Sequence, residues 1–178
     1  MEIDSLNVKN YPDFLALYEE AFPAEERRPY KDAAELEHFI KMKGGKFHAY
    51  AAKDGDLFLG FLSYWTFEGY VYVEHFAVRP EHRGRNIGRK MLHHLFEEVS
   101  ENVLLEVEKP ETADAQRRIH FYETQGFRLR RELEYVQPPY TTGGKPVPML
   151  LMTHGEVKLR DHADMEEMLR EVYNVNAH

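Results

Sequence analysis

One carboxylate, Glu74, stands in the middle of the otherwise apolar run Tyr70-Val71-Tyr72-Val73-Glu74-His75-Phe76-Ala77-Val78. A charge in such a run is costly to bury unless something uses or satisfies it, so Glu74 is a candidate general base. The run enters Arg79-Pro80-Glu81-His82-Arg83-Gly84-Arg85-Asn86-Ile87-Gly88-Arg89-Lys90, which carries five basic residues against one acid. A helix opens there, with Met91, Leu92, Leu95, Phe96 and Val99 on its inner face. A helix N-terminus behind flexible residues offers unpaired N–H groups and a positive dipole end, the chemistry that suits phosphate. The plain alternative is a solvated basic turn.

Other phosphate-binding patterns fit less well. A P-loop needs Gly-Lys-Ser/Thr at the helix start, and the chain has none. A dinucleotide site needs three glycines, and this loop has Gly84 and Gly88. Glu106 and Glu108 lie where a ribose-binding acid would, about 20 residues on. An NAD(P)-binding oxidoreductase therefore stays as a remote alternative.

The elements that must hold these residues follow from periodicity and turn chemistry. A short strand is expected over 2–7, an amphipathic helix over 11–22 and a second helix over 31–42. Strands at 46–52, 57–67 and 70–78 form an antiparallel meander, turning at Asp54-Gly55 and Glu68-Gly69. The order then becomes helix 88–100, strand 102–107, helix 113–124 and strand 127–136, an alternation that implies a crossover and local parallel pairing. A Pro/Gly-rich loop, 137–146, precedes a last strand over 148–153. The segment 161–173 reads as a helix that packs on the domain or on a second subunit. The expectation is one domain over 1–178, with a helical extension from about 156 to 178.

Composition narrows the function classes. The chain has 178 residues, 43% hydrophobic and 30% charged, enough to bury a core without staples. It contains no cysteine, which removes disulfides, thiolate metal sites and a cysteinyl acyl intermediate. Ten histidines form no His-x-x-Glu-His arrangement, so no metal is expected. A net charge of −8 speaks against nonspecific nucleic-acid binding. The short apolar runs and the N-terminal Met1-Glu2-Ile3-Asp4 predict no membrane association and a cytoplasmic protein.

With these residues in place, the segment Arg83-Gly84-Arg85-Asn86-Ile87-Gly88 resembles the acyl-CoA signature of the GNAT superfamily of N-acetyltransferases, Arg/Gln-x-x-Gly-x-Gly/Ala. Asn86 departs from the first glycine, but asparagine tolerates left-handed backbone better than most residues. A second element, His120-Phe121-Tyr122-Glu123-Thr124-Gln125-Gly126-Phe127, is similar to the family's F-Y-E-x-x-G-F. The asparagine often found seven residues before that tyrosine is Ala115 here. The likeness runs from about Leu57 to Val136.

The resemblance implies an α/β (α+β) fold. A mixed central sheet would join an antiparallel N-terminal meander to parallel, splayed strands 4 and 5, with flanking helices. It implies acetyl-CoA as co-substrate, held by backbone groups of Phe76, Ala77 and Val78 and by Arg83, Gly84, Arg85, Asn86, Ile87, Gly88 and Arg89. Tyr122 would be the acid for the departing thiolate and Glu74 the base. Glu106 is the second candidate base, assigned with Tyr140 to the acceptor side. The implied reaction is acyl transfer to a small-molecule or peptide amine by direct attack, in a monomer or homodimer. An acyl-CoA-binding regulatory module without catalysis is the runner-up.

Overall fold

Among the described residues, eight strands form one sheet in the order β1-β2-β3-β4-β5-β8-β6, with β7 paired to β8. The computed structural model describes residues 1–175, and the final three positions of the extension expected over 156–178 lie outside them. The strands are β1 (Glu2–Ser5), β2 (Phe47–Asp54), β3 (Leu57–Phe67), β4 (Tyr70–Val78), β5 (Val103–Glu108), β6 (Arg128–Leu129), β7 (Tyr135–Gln137) and β8 (Val147–His154). The helices are α1 (Tyr11–Ala21), α2 (Ala33–Met42), α3 (Ile87–Glu98), α4 (Ala113–Thr124) and α5 (Glu166–Tyr173). None is long and apolar enough to cross a membrane, among the described residues.

Local chemistry sets the helix starts. Asp32 caps α2 by accepting from the Glu35 amide at 3.0 Å, while Glu35 reaches back to the Lys31 amide at 2.8 Å. Thr112 caps α4 through the Ala115 amide at 3.1 Å. Helices α3 and α4 pack on one face of the sheet, where Met91, Leu92 and Leu95 are fully buried against Val71, Val73, Val103 and Leu105. Burying each such side chain contributes about 1.5–3 kcal/mol. The other face is covered by α1 and α2 towards β3 and by α5 towards β5 and β8.

Two expectations are corrected. The strand expected over 127–136 is interrupted, because the chain turns at Arg130, whose amide still donates to Leu151 O at 2.9 Å. Arg130 is buried and donates to Leu159 O at 2.8 Å, which pulls the chain out of the ladder. The C-terminal helix starts later than 161, at Glu166, after a 3-10 turn over His162–Met165. It docks on its own domain, with Met165, Met168, Val172 and Tyr173 buried beside Trp65, Tyr72 and Leu104.

The feature that makes room for a site is the behaviour of β4. It pairs in parallel with β5 only from Val71↔Val103 to Val73↔Leu105. Beyond that point β5 continues on β8 as far as Glu108↔Met149, and β4 stays on β3 as far as Gly60↔Val78. The two strands therefore separate. A β-bulge sits at the point of separation: Ser63 faces His75 and Tyr64 faces Val73, leaving Glu74 as the extra residue. A bulge increases twist and changes which residues share a face. Val71 and Val73 face α3 and α4 before it, and Phe76 and Val78 do so after it. Glu74 and His75 both turn to the opposite face, His75 against Tyr18 and Phe22 of the α1 region. This is the one parallel pair among the described strands, so the paired βαβαβ halves of a dinucleotide fold are absent from it.

Candidate active site

A cavity of about 1160 Å³ occupies the gap between the separated strands. Phe76, Ala77 and Val78 line it from β4, and Leu105, Glu106, Val107 and Glu108 line it from β5. Phe121 and Tyr122 reach it from the α4 face, whereas Phe22 and Glu26 reach it from the α1 face. The gap is thus a passage lined from both faces of the sheet.

On the α3 side the passage ends in the basic loop. Asn86 adopts left-handed backbone, φ 61°, immediately before α3, as does Gly84 at φ 79°. Asparagine supplies here the geometry that glycine supplies elsewhere. Helix α3 has no side-chain cap, and its first return bond is Lys90 N to Asn86 O at 3.0 Å. The amides of Ile87, Gly88 and Arg89 are therefore left without intrahelical acceptors at the cavity wall. Arg83, Gly84 and Arg89 also line the cavity. Arg83 Nε donates to Val78 O at 3.3 Å, tying the loop to the end of β4. Arg85 differs from expectation: it turns to His82 Nδ1 at 3.2 Å and is not part of the cavity wall. A Cβ on Gly88 would stand 3.4 Å from the rings of both Phe76 and Phe121, so alanine fits and anything longer enters the cavity.

Tyr122 projects from the last turn of α4, almost fully buried, and its hydroxyl has no hydrogen-bond partner among the described residues. Burial pushes its pKa up to about 12, with Arg118 acting the other way. It is therefore a phenol that keeps its proton at neutral pH and lines the passage.

Glu74 is differently engaged. Its carboxylate accepts Arg28 Nη1 at 2.7 Å and Trp65 Nε1 at 3.0 Å on Oε1, and Arg28 Nη2 at 2.7 Å and the Tyr140 hydroxyl at 2.9 Å on Oε2. Burial alone would raise its pKa, but Arg28, His75 and the Trp65 bond outweigh burial and hold it below the usual range. Arg28 in turn donates to Val172 O at 2.8 Å and lies over the rings of Phe39, Trp65 and Tyr140. The Glu74 side chain has no exposed surface, and four bonds occupy both of its oxygens. This geometry suits a positioning role better than proton exchange with a substrate.

Tyr140, expected at the acceptor, is committed to the same knot and lines a separate small cavity of about 180 Å³ beside Ala24 and Lys145. Glu106 borders the main passage but is saturated: it accepts from Tyr135, from Gln137 Nε2 at 2.7 Å and from the Tyr173 hydroxyl at 2.8 Å. Burial raises its pKa against the pull of those donors.

Glu26 and Gln137, from the segments 25–30 and 137–146 between which the acceptor was expected, also line the cavity, as does His75, which the sequence reading did not single out. Glu26 ends a 3-10 turn after α1, and His75 Nε2 meets its backbone oxygen at 2.8 Å. Nothing in Glu25-Glu26-Arg27-Arg28 marks which acid turns inward. Burial, then Glu108, with Glu106 and Glu25 adding and Arg118 opposing, pushes the Glu26 carboxyl up to about 7. Among the described residues no group of His, Asp and Glu is placed to hold a metal ion.

The chain is similar to known proteins. The family model described as Acetyltransferase (GNAT) family matches residues 11–127, well over half of the chain. A chain from Bacteroides thetaiotaomicron, named as an acetyltransferase of the GNAT family, is 36% identical over 99% of this chain and 100% of its own, with a TM-score of 0.84. YjbC of Bacillus subtilis (strain 168), also named as an acetyltransferase, is 24% identical over 86% of this chain and 76% of its own. The ribosomal-protein-alanine N-acetyltransferase of Brucella melitensis shares the fold at a TM-score of 0.65 and 21% identity, covering 86% of this chain and 98% of its own. The splayed β4–β5 pair, the uncapped α3 N-terminus behind it and the family match agree: this chain belongs to the GNAT family of acetyltransferases and is an acyltransferase.

Proposed function

We propose that the protein transfers an acetyl group from acetyl-CoA to an amine, by direct attack of the amine on the thioester. The observation that carries this reading is the passage through the sheet, with free helix-start amides and arginines at one end and carboxylates at the other. The α3 amides with Arg83 and Arg89 would hold the pyrophosphate. The backbone of Phe76 to Val78, unpaired towards β5, would bind the pantetheine arm as an added strand. The thioester would then lie beside Tyr122. The amine nitrogen attacks the carbonyl carbon, the C–S bond breaks, and the sulfur leaves with its electron pair and accepts a proton from Tyr122. The proton shed by the nitrogen returns through solvent to Tyr122.

The reading is tested by following CoA release from acetyl-CoA with a panel of amines, with the amide product identified by mass. Absence of amine-dependent release across the panel would overturn it. Within this reading Tyr122→Phe should lower kcat by about 10²–10⁴-fold, the usual worth of a positioned acid, at unchanged acetyl-CoA affinity. Wild-type turnover in that variant would make the hydroxyl structural.

A further inference from the structure

The last residues paired between β4 and β5 are Val73 and Leu105, and the next residue on each strand is a carboxylate, Glu74 and Glu106. Two like charges therefore stand where the strands part, both turned to the face that α5 covers. The last turn of α5 is tied to both. Arg28, which balances Glu74, donates from Nη2 to Val172 O at 2.8 Å. The Tyr173 hydroxyl donates to Glu106, 2.8 Å from Oε1 and 2.9 Å from Oε2.

Tyr173 also reaches β4. Its hydroxyl lies 2.9 Å from that of Tyr72, and with its own proton given to a carboxylate it accepts there. Burial, and then Glu106, push the pKa of both hydroxyls well up, so each has a proton to give. Tyr72 is paired with Leu104, one residue short of the fork, so a single side chain links β4 to β5 at the point of separation. The Tyr173 ring stands 5.0 Å from that of Tyr140, whose hydroxyl holds Glu74 Oε2.

Apolar packing does not account for this hydroxyl. Tyr173 is buried, 5% exposed, and a phenylalanine would bury the same ring without a polar group to satisfy. Glu74 and Glu106 line the passage, whereas α5 contributes nothing to its wall among the described residues. The helix also lies outside the segment 11–127 that matches the family model.

Resting on the reading that acetyl-CoA occupies this gap, we propose that Tyr173 is a positioning residue. Its hydroxyl, held by α5 outside the passage, ties Glu106 of β5 to Tyr72 of β4 and so fixes the separation of the strands at which the pantetheine arm enters. The C-terminal helix is thereby required for acetyl-CoA binding without touching the ligand.

Calorimetry with CoA on the whole chain is the test. Tyr173→Phe keeps the ring and should weaken CoA binding by at least about fivefold, the lower end of coupling between separate sites. The loss should pass through Glu106, so adding Tyr173→Phe to Glu106→Gln should change the affinity by less than about twofold. Coupling is reciprocal, and in the unaltered protein CoA should slow amide hydrogen exchange over 170–173 by at least about fivefold more than over Glu2–Ser5 of β1. That measurement needs no variant and decides the matter if Glu106→Gln does not fold. Full CoA affinity in Tyr173→Phe, additive losses in the double variant, or α5 amides that CoA does not protect would overturn the proposal and leave acetyl transfer standing. If the unaltered protein binds no CoA, the acetyl-CoA reading fails first and takes this one with it.

Discussion

Replacing Gly88 with glutamate should weaken acetyl-CoA binding by at least about 100-fold while the protein stays folded, if two charge-assisted hydrogen bonds of about 1.5–3 kcal/mol each are lost. Gly88 is the second residue of α3, and the first Cβ atom already meets Phe76 and Phe121 at 3.4 Å. The rest of a glutamate side chain has only the cavity to enter. There its carboxylate would compete for the α3 amides that a pyrophosphate would use, and would repel that group as well. The helix itself should tolerate the change, since glutamate forms helix better than glycine and an acid in the first turn favours the dipole. Gly88→Ala, which fits the space, is the control and should bind nearly as the parent does. Calorimetry with CoA decides it: undiminished affinity in Gly88→Glu would remove the helix start from the binding site.

Glu74→Gln should cost about 3–5 kcal/mol of stability, the usual penalty for leaving one partner of a buried pair uncompensated. For a domain of this size that lowers the unfolding midpoint by roughly 6–20 °C. The cause is Arg28, a buried guanidinium whose charge is balanced by Glu74 through two bonds of 2.7 Å. The knot also ties the α1–α2 connection to α5 through Val172 O and to the 138–146 loop through Tyr140, so losing it loosens the α1 side of the passage. The pH dependence has a definite sign. The folded Glu74 carboxyl is held below its ordinary value of 4.5. Its contribution is therefore present above that value and is lost as pH falls through the lower folded one. Thermal unfolding of the variant at neutral pH is the check. An unchanged midpoint with greatly reduced kcat would restore Glu74 as the catalytic base.

Much of this molecule was legible in the chain because the relevant signals are local. Alternation and turn residues set β3 and β4 at their observed ends, and Thr112 and the following periodicity set α4. The left-handed turn at Asn86 follows from what asparagine and glycine allow, and the free amides follow from any uncapped helix start. The family resemblance rested on the same two segments, and the match over 11–127 contains both.

What only the tertiary structure decided is how the buried charges are partnered. From the sequence Glu74 was an unsatisfied acid in an apolar strand. Its partners come from 46, 9, 66 and one residue away along the chain, at Arg28, Trp65, Tyr140 and His75. No periodicity encodes such distances. The bulge that moves Glu74 and His75 to one face depends on the register with β3, which a single strand's pattern does not contain. Glu26 is one of two adjacent acids in a turn, and its proximity to Glu106 and Glu108 arises where the α1–α2 connection crosses the gap between β4 and β5. Local propensity chose the elements; long-range electrostatics and packing chose which carboxylate is consumed by the fold and which is left facing the passage.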